Sequence, residues 1–433
     1  MQPNVRSITI AALIAAAAPV TAACAQSSLT TLYSFKGEKD GAYPPAGGPA
    51  LDSAGNLYGT TASYPGSAFR LSPNGKSYSF TSLRSFNSTA AGIEPSSPLT
   101  PGPNGVFFGA TSEGGKTTNC YSGCGIIFEL IPPVSGTKWT TKLLYEFTGL
   151  KDGNTPAGNL ALSSDGVLYG ATERSSPGQG TIFSLTPPTS GTHWTFKTLY
   201  TFTGGADGGQ PSAGVSLING VLYGTAFEGG TSSNCSDSCG TAFSLTHTAN
   251  GKSWIEATIY AFGSVYAGGN FTDGNNPIST LVADAHGVLY GTTVGGGTST
   301  ACDQGCGTVF SLTKTGRSWT ETVLHSFTGV PDGYEPASPL VFDSTGALWG
   351  AAGWGGLSTS SGCQGSGCGT LFKLTGSGRS WTETTEYQFT GGTDGGVPNG
   401  IVFNSSGDLF GATAVGGPSN GSDGFGTIFE FTP

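Results

Sequence analysis

The sequence predicts an all-β protein: a seven-bladed β-propeller with four antiparallel strands per blade, closed by its own N-terminal strand. Three observations carry the prediction. An aromatic-glycine phrase occurs seven times, as NLYGTT at 56, VFFGAT at 106, VLYGAT at 167, VLYGTA at 221, VLYGTT at 288, ALWGAA at 347 and DLFGAT at 408. Each copy divides into four strand-like pieces bounded by Gly, Asn, Asp or Pro. The last copy stops after its third piece, GTIFEFTP, while an unmatched piece, SLTTLYSF, stands near the start of the chain.

The repeat sets the architecture. The central glycines, at 59, 109, 170, 224, 291, 350 and 411, are 50 to 67 residues apart. That interval is too long for a β-helix rung and suits a propeller blade with long loops. In the sixth copy the four pieces are SPLVFD, ALWGAA, GTLFKLT and WTETTEYQF, with a tight STG turn between the first two. Apolar and polar residues alternate in GTLFKLT and TETTEYQF with the period of two that a half-buried strand requires. No stretch sustains a helical period. The aromatic before each central glycine is expected to pack between neighbouring blades, where a flat ring buries much area. Residues 28–35 are expected to pair with the C-terminal blade, 399–433, which removes the exposed edges of an open array.

A chain of 433 residues exceeds the roughly 250–300 at which a single core stops growing, so several domains or a modular array are expected, and repetition favours the array. Charged residues are 10% of the chain, against about 25% in ordinary soluble proteins, and there are 73 Gly and 25 Pro. The 11% aromatics recur at fixed places in the repeat, which supplies buried surface and argues against disorder. The net charge of -10, without a concentrated Lys/Arg run, argues against nucleic acid as a partner.

The first 25 residues read as an export signal. Arg6 precedes the apolar ITIAALIAAAAPV, which is too short to span a bilayer, and small residues follow. Cleavage after ACA leaves a domain of residues 26–433; TAAC is a degraded lipoprotein box that would instead leave Cys24 as a lipidated N-terminus. The expected address is secreted, periplasmic or cell-surface, with no transmembrane segment and a monomeric chain.

LYGTTVGGG and CGTVFSL together resemble the bacterial tandem-repeat family named after Gloeobacter and Verrucomicrobia, whose unit reads approximately LYGTT, GG, GTVF. Copies four and five match best; the first lacks the GG (TASYPGSAFRL) and the third has ERSSPGQG in its place. The resemblance covers the mature chain and implies an exported, repeat-built protein. It carries over no catalytic residue and no ligand.

Eight cysteines form four close pairs, Cys120/Cys124, Cys235/Cys239, Cys302/Cys306 and Cys363/Cys368, each between the second and third strands of its blade. In an oxidising compartment such pairs read as disulfides. Zinc would need four thiolates around one point, and these loops belong to different blades. A second pattern, D-G-x-x-P, marks the junctions between blades at Asp40, Asp152, Asp207, Asp273, Asp332 and Asp394, with Ala91 in place of the acid at the seventh. Asp can accept hydrogen bonds from backbone N–H groups ahead of it, Gly permits a left-handed turn and Pro fixes entry into the next strand. A ring of carboxylates attracting cations is the alternative, but calcium needs about six to eight oxygens and one acid per loop cannot supply them.

By propeller topology the junctions and the loops after the second strands emerge on one face, where side chains can vary without disturbing the sheets. Two residues after each TT-like pair the copies carry Ser63, Glu113, Arg174, Glu228, Gly295, Trp354 and Val415. Glu113, Arg174 and Glu228, from three consecutive blades, with Trp354 elsewhere on the rim, are the candidate ligand contacts. They suit a polar ligand such as a glycan, with the indole stacking on a sugar face; solvated loop residues are the bland account of the same positions. His193, His247, His286 and His325 fall at four different places in the repeat, so no triad or metal site is expected, nor any cofactor. TGRSW and GSGRSW are like Asp-box turns but lack the Asp. The leading expectation is a non-catalytic module binding a glycan or a cell-surface protein. Its rivals are a carbohydrate-active enzyme using Glu113 and Glu228 as paired carboxylates, held about 5–9.5 Å apart in such enzymes, and a purely structural surface repeat.

Overall fold

The computed structural model describes residues 27–37, 40–44, 47–63, 66–75, 77–235, 239–251, 253–356, 363, 365–417 and 424–433. The expected signal segment and Cys24 lie outside them. Seven antiparallel sheets form blades 1 to 7; in blades 1 to 6 the strands lie side by side in chain order, the first strand of blades 2 and 5 being in two pieces. Blade 1 is Ala50–Leu51, Leu57–Thr61, Gly66–Asn74 and Ser77–Phe86. Blade 7 is Gly396–Phe403, Leu409–Val415, Thr427–Thr432 and, from the other end of the chain, Ser28–Ser34. That last pairing runs antiparallel, with Leu29 opposite Phe431 and Ser34 opposite Thr427. The ring is therefore closed as the sequence predicts. Among the described residues no helix is long and apolar enough to cross a membrane.

Each letter of the repeated phrase has a mechanical role. The leucine is fully buried, as at Leu57, Leu168, Leu222 and Leu348. The aromatic after it reaches the next blade: Tyr58 meets Trp139 at 6.0 Å, Phe108 meets Trp194 at 5.8 Å, Tyr223 meets Trp319 at 6.1 Å and Tyr290 meets Trp381 at 5.9 Å. The central glycine lies under the third-strand phenylalanine of its own blade. A Cβ on Gly59 would sit 2.5 Å from Phe69 Cζ, and one on Gly224 equally close to Phe243 Cζ. The final threonine hydroxyl pairs with the first hydroxyl of the third strand, at 2.8 Å for Thr172 and Thr181 and for Thr293 and Thr308. These hydroxyls also tie the sheet to the preceding junction, where Thr370 Oγ1 donates to the carbonyl of Asp332 at 2.8 Å.

The blades are joined by a ring of phenylalanines that the sequence reading did not single out. A fully buried phenylalanine closes every fourth strand, as its last residue at Phe86 and as the next residue at Phe35, Phe147, Phe202, Phe262, Phe327 and Phe389. Each packs against the third-strand phenylalanine of the following blade, with centroids 4.9 to 5.3 Å apart from Phe35 on Phe69 round to Phe389 on Phe429. Tilted and edge-on arrangements of this kind suit the ring quadrupole.

Candidate functional site at the loop-rich face

The four cysteine pairs are disulfides, Cys120–Cys124, Cys235–Cys239, Cys302–Cys306 and Cys363–Cys368, each in the loop between second and third strands. These loops meet the D-G-x-x-P junction of the next blade. Thr155 N donates to Cys124 O at 3.1 Å, Asn276 N to Cys239 O at 2.7 Å, Glu335 N to Cys306 O at 3.0 Å and Val397 N to Cys368 O at 2.8 Å. In blade 1 Tyr43 N donates to Phe425 O, and in blade 4 Gln210 N to Gln179 O, so the junctions and the loops share one face.

Those anchored residues, each immediately before the junction proline, hold an uncommon conformation. Tyr43, Glu94, Thr155, Gln210, Asn276, Glu335 and Val397, one per blade, have φ between 52 and 56°. They are seven of the ten non-glycine residues at positive φ among the described residues, the others being Asn104, Asn219 and Gln304. The residue before proline ordinarily prefers an extended backbone, and a β-branched residue such as Thr155 or Val397 is strained at positive φ. Glycine supplies such conformations elsewhere in this chain, including the second residue of the same junctions, such as Gly153 and Gly333.

Each candidate rim residue stands beside the left-handed residue of its own blade. Glu113, paired across the sheet with Ile93, neighbours Glu94; burial, and then the charge of Glu113, pushes the Glu94 carboxyl up. Arg174 is exposed and pairs across the sheet with Asn154, next to Thr155. Glu228 accepts a hydrogen bond from Gln210 Nε2. Trp354 stands beside Glu335, whose carboxyl burial pushes up, and its backbone exchanges bonds with Tyr334 at 2.9 and 3.2 Å. The four thus stand at four separate points of the ring rather than in one cluster. Glu113 and Glu228 stand on blades 2 and 4, with blade 3 between them.

The junction aspartates fasten one blade to the next. Tyr33, Tyr145, Tyr200, Tyr260 and Tyr387 donate their hydroxyls to Asp40, Asp152, Asp207, Asp273 and Asp394 at 2.7 to 3.1 Å. The same acids accept backbone N–H groups that precede them in the chain, from Lys36, Thr148, Thr203, Ser264 and Thr390. Burial, and then the Asp394 charge, pushes the Tyr387 hydroxyl up to about 12. Burial pushes Asp207 up as well, but the hydrogen bonds it accepts outweigh that and leave it below its ordinary value.

In the remaining acidic junction His325 takes the tyrosine's place, with Nε2 2.9 Å from Asp332. With Glu383 these residues offer ligand atoms within 4.8 Å of one another, the one such His/Asp/Glu group among the described residues. Glu256 and Glu321 hold the same outer-strand position as Glu383 beside tyrosine-aspartate pairs, so the trio is a variant of a blade-to-blade hydrogen bond rather than a ligand set apart. Burial pushes Glu256 up to about 7, and burial with the neighbouring Asp273 pushes Glu321 up to about 8.

One junction departs from the others. Phe262 and Asp273 are eleven positions apart, where Phe202 and Asp207 are five. The extra residues form a small hairpin, Tyr266–Ala267 with Asn270–Phe271, turned by Gly268 and Gly269, both at positive φ. The hairpin overhangs the face and walls a cleft of about 810 Å³ between the Cys235–Cys239 and Cys302–Cys306 loops, with Glu228 and Asn276 in its lining. The sequence reading missed this cleft. The lengthened spacing was the available signal.

A family model described as Gloeobacter/Verrucomicrobia repeat matches residues 20–173, 117–356 and 229–433. Among curated proteins none matches the chain in sequence. Of solved structures, a fungal alcohol oxidase of the AA5 family in complex with copper is similar with a TM-score of 0.54 at 12% identity, over 94% of this chain and 77% of that one. A protein from Lactobacillus plantarum gives 0.50 at 11% identity, over 81% and 85%. At such identities the likeness is one of fold.

Proposed function

The chain belongs to the Gloeobacter/Verrucomicrobia repeat family, and from that premise we propose that it is an exported, non-catalytic binding module whose ligand meets the loop-rich face. The observation that supports this reading is the ring of seven left-handed side chains. Strained backbone that persists where an unstrained residue was to hand points to a use for the side chain. Glycine would fit at each of these positions, and the chain uses it freely nearby. Glu113, Arg174, Glu228 and Trp354 extend the ring outward as contacts for a glycan or a cell-surface protein. Export is supported by the four disulfides, which persist in oxidising compartments, and by the apolar leader, through either simple cleavage or lipidation at Cys24.

The experiment is glycine replacement of Glu94, Gln210 and Glu335 together, read on a glycan array and by thermal melting. Retained melting temperature with lost capture is the expected result; undiminished capture refutes the reading. A second reading, a carbohydrate-active enzyme, draws on the juxtaposed Glu94 and Glu113, the Glu94 carboxyl being pushed up by burial and then by the charge of Glu113. Product release abolished by Glu94→Gln or Glu113→Gln would favour it over binding alone.

A further inference from the structure

The cleft at the lengthened junction has a chemical character of its own. Its lining is rich in carboxamides, with Asn234, Asn270, Asn275, Asn276 and Gln304 together, and among the described residues it contains no Lys or Arg. A carboxamide offers two donors and an acceptor on one plane, which matches a hydroxyl that both donates and accepts. Tyr266, 54% exposed, stands at the edge with its ring 5.2 Å from Phe271, an aromatic surface for the apolar face of a sugar ring.

The walls are built rather than loose. Asn270 is 6% exposed and its side-chain N–H donates to the carbonyl of Ser299, while Gly297 N donates to Phe271 O at 2.9 Å, so the hairpin is fastened to blade 5. At the floor Asn275 is 2% exposed and its Oδ1 has no hydrogen-bond partner among the described residues. Its Nδ2 stands 3.5 Å from Gln304 Oε1, the outer limit of a hydrogen bond. A buried amide with one unmet acceptor and one stretched donor is poised to turn toward a hydroxyl that enters the cleft. Gln304 and Asn276 are both left-handed, at φ 60 and 53°. A second cleft of about 490 Å³ shares Asn275, Asn276 and Gln304 and continues to Tyr334 and Glu335 of blade 6. The surface is therefore a trough across three blades, longer than one sugar ring needs.

We propose that this trough binds a neutral oligosaccharide, with the carboxamides of blades 4 and 5 reading its hydroxyls and Tyr266 covering one ring. Neutrality follows from the lining: among the described residues no cation faces the cleft to meet an anionic sugar, and amides outnumber the acids Glu228 and Asp303. The inference rests on the loop-rich face being the binding face.

The test is calorimetric titration of the purified, disulfide-bonded protein with cellohexaose, xylohexaose, maltohexaose and mannohexaose. Three variants address the trough: Asn276→Gly, Gln304→Gly, and deletion of residues 265–270, which restores the spacing of the other junctions. The two glycine variants relieve left-handed backbone, so loss of binding in them is not loss of folding. At least one hexaose is expected to bind, about tenfold or more weaker in each variant, with melting temperatures held. Trp381→Ala, on the opposite face, should leave binding as it was. Hexaose binding that survives all three changes overturns the assignment, as does its loss in Trp381→Ala alone. Should a charged glycan bind while no hexaose does, the saccharide class falls and the binding face stands; should binding fail only in Glu113→Gln and Arg174→Ala, the trough falls and the wider rim stands. If nothing on the face binds, both fall.

Discussion

Replacement of Phe35 by alanine tests whether the two ends of the chain carry load. Phe35 is 1% exposed and packs on Phe69 of blade 1 with centroids 5.3 Å apart. Phe202 makes the equivalent contact with Phe243 at 5.0 Å, inside the chain between blades 3 and 4. Burying about 200 Å² of aromatic surface at about 25 cal/mol/Å² gives roughly 5 kcal/mol, an upper bound because the unfolded chain already covers part of it. The edge-to-face geometry adds about 1 kcal/mol, and the vacated space cannot fully collapse, so a cost of about 3–5 kcal/mol is expected at either site. In a closed ring the two losses agree within about 2 kcal/mol, the ordinary site-to-site spread for one chemistry. The assay is urea unfolding of the disulfide-intact protein followed by tryptophan fluorescence, with unchanged m-values as the condition for comparison. A Phe35→Ala loss below about 1 kcal/mol beside a Phe202→Ala loss above about 3 would mean that the N-terminal strand frays on its own, and closure would carry no stability.

Further outcomes follow from the same contacts. Gly224→Ala places a Cβ 2.5 Å from Phe243 Cζ and should cost about 1–3 kcal/mol through overpacking, measured by the same unfolding curves; a neutral result would remove the steric reason for the central glycine. Glu321 has its folded-state pKa raised from 4.5 to about 8, so the stability it contributes is full below about pH 4.5 and lost as the pH rises toward 8. Glu321→Gln should flatten that slope and be more stable than the parent at pH 9 by about 3 kcal/mol, after allowance for residual solvent screening. Equal slopes from pH 5 to 9 would refute the assignment. Reducing the four disulfides should lower stability by roughly 2 kcal/mol per five-residue loop on the loop-entropy account and loosen the junction residues they hold, seen as faster amide exchange at Thr155, Asn276, Glu335 and Val397; unchanged exchange there would detach the bridges from the rim.

Strand order, blade number and closure were legible because they depend on spacing and alternation, which the chain repeats seven times. Contacts that depend on register were not. The sequence offers a glycine in every phrase and a phenylalanine in every third strand, but that Gly59 and Phe69 lie opposite each other is a property of the assembled ladder. The D-G-x-x-P turn was readable, whereas the left-handed residue before its proline was not, since local preference at that place favours an extended backbone. The hydrogen bond from Asn276 to Cys239 of the preceding blade overrides that preference, and no local pattern announces it. The hairpin at 266–271 left a visible trace in spacing, but spacing alone does not say whether added residues fold over the face or away from it.

The division between repeated and varied positions has a physical basis. Phe35, Leu57, Gly59 and Thr61 touch side chains that are themselves copies of one repeat position, so a change in any one must be accommodated by an equivalent neighbour already packed to capacity. Rim positions such as Glu113 and Arg174 stand beside their own junctions and differ in chemistry from blade to blade, while Trp354 also packs against the core between blades 6 and 7. Symmetry therefore constrains the scaffold and leaves the rim free. The junction after Phe262 is where that freedom goes furthest: it keeps the shared fastening, Tyr260 on Asp273 at 2.8 Å, and places six added residues entirely on the open face. A lengthening that served only to join two blades would have no reason to preserve that bond while overhanging a cleft, which is why the search for a ligand belongs at blades 4 and 5 before any other part of the ring.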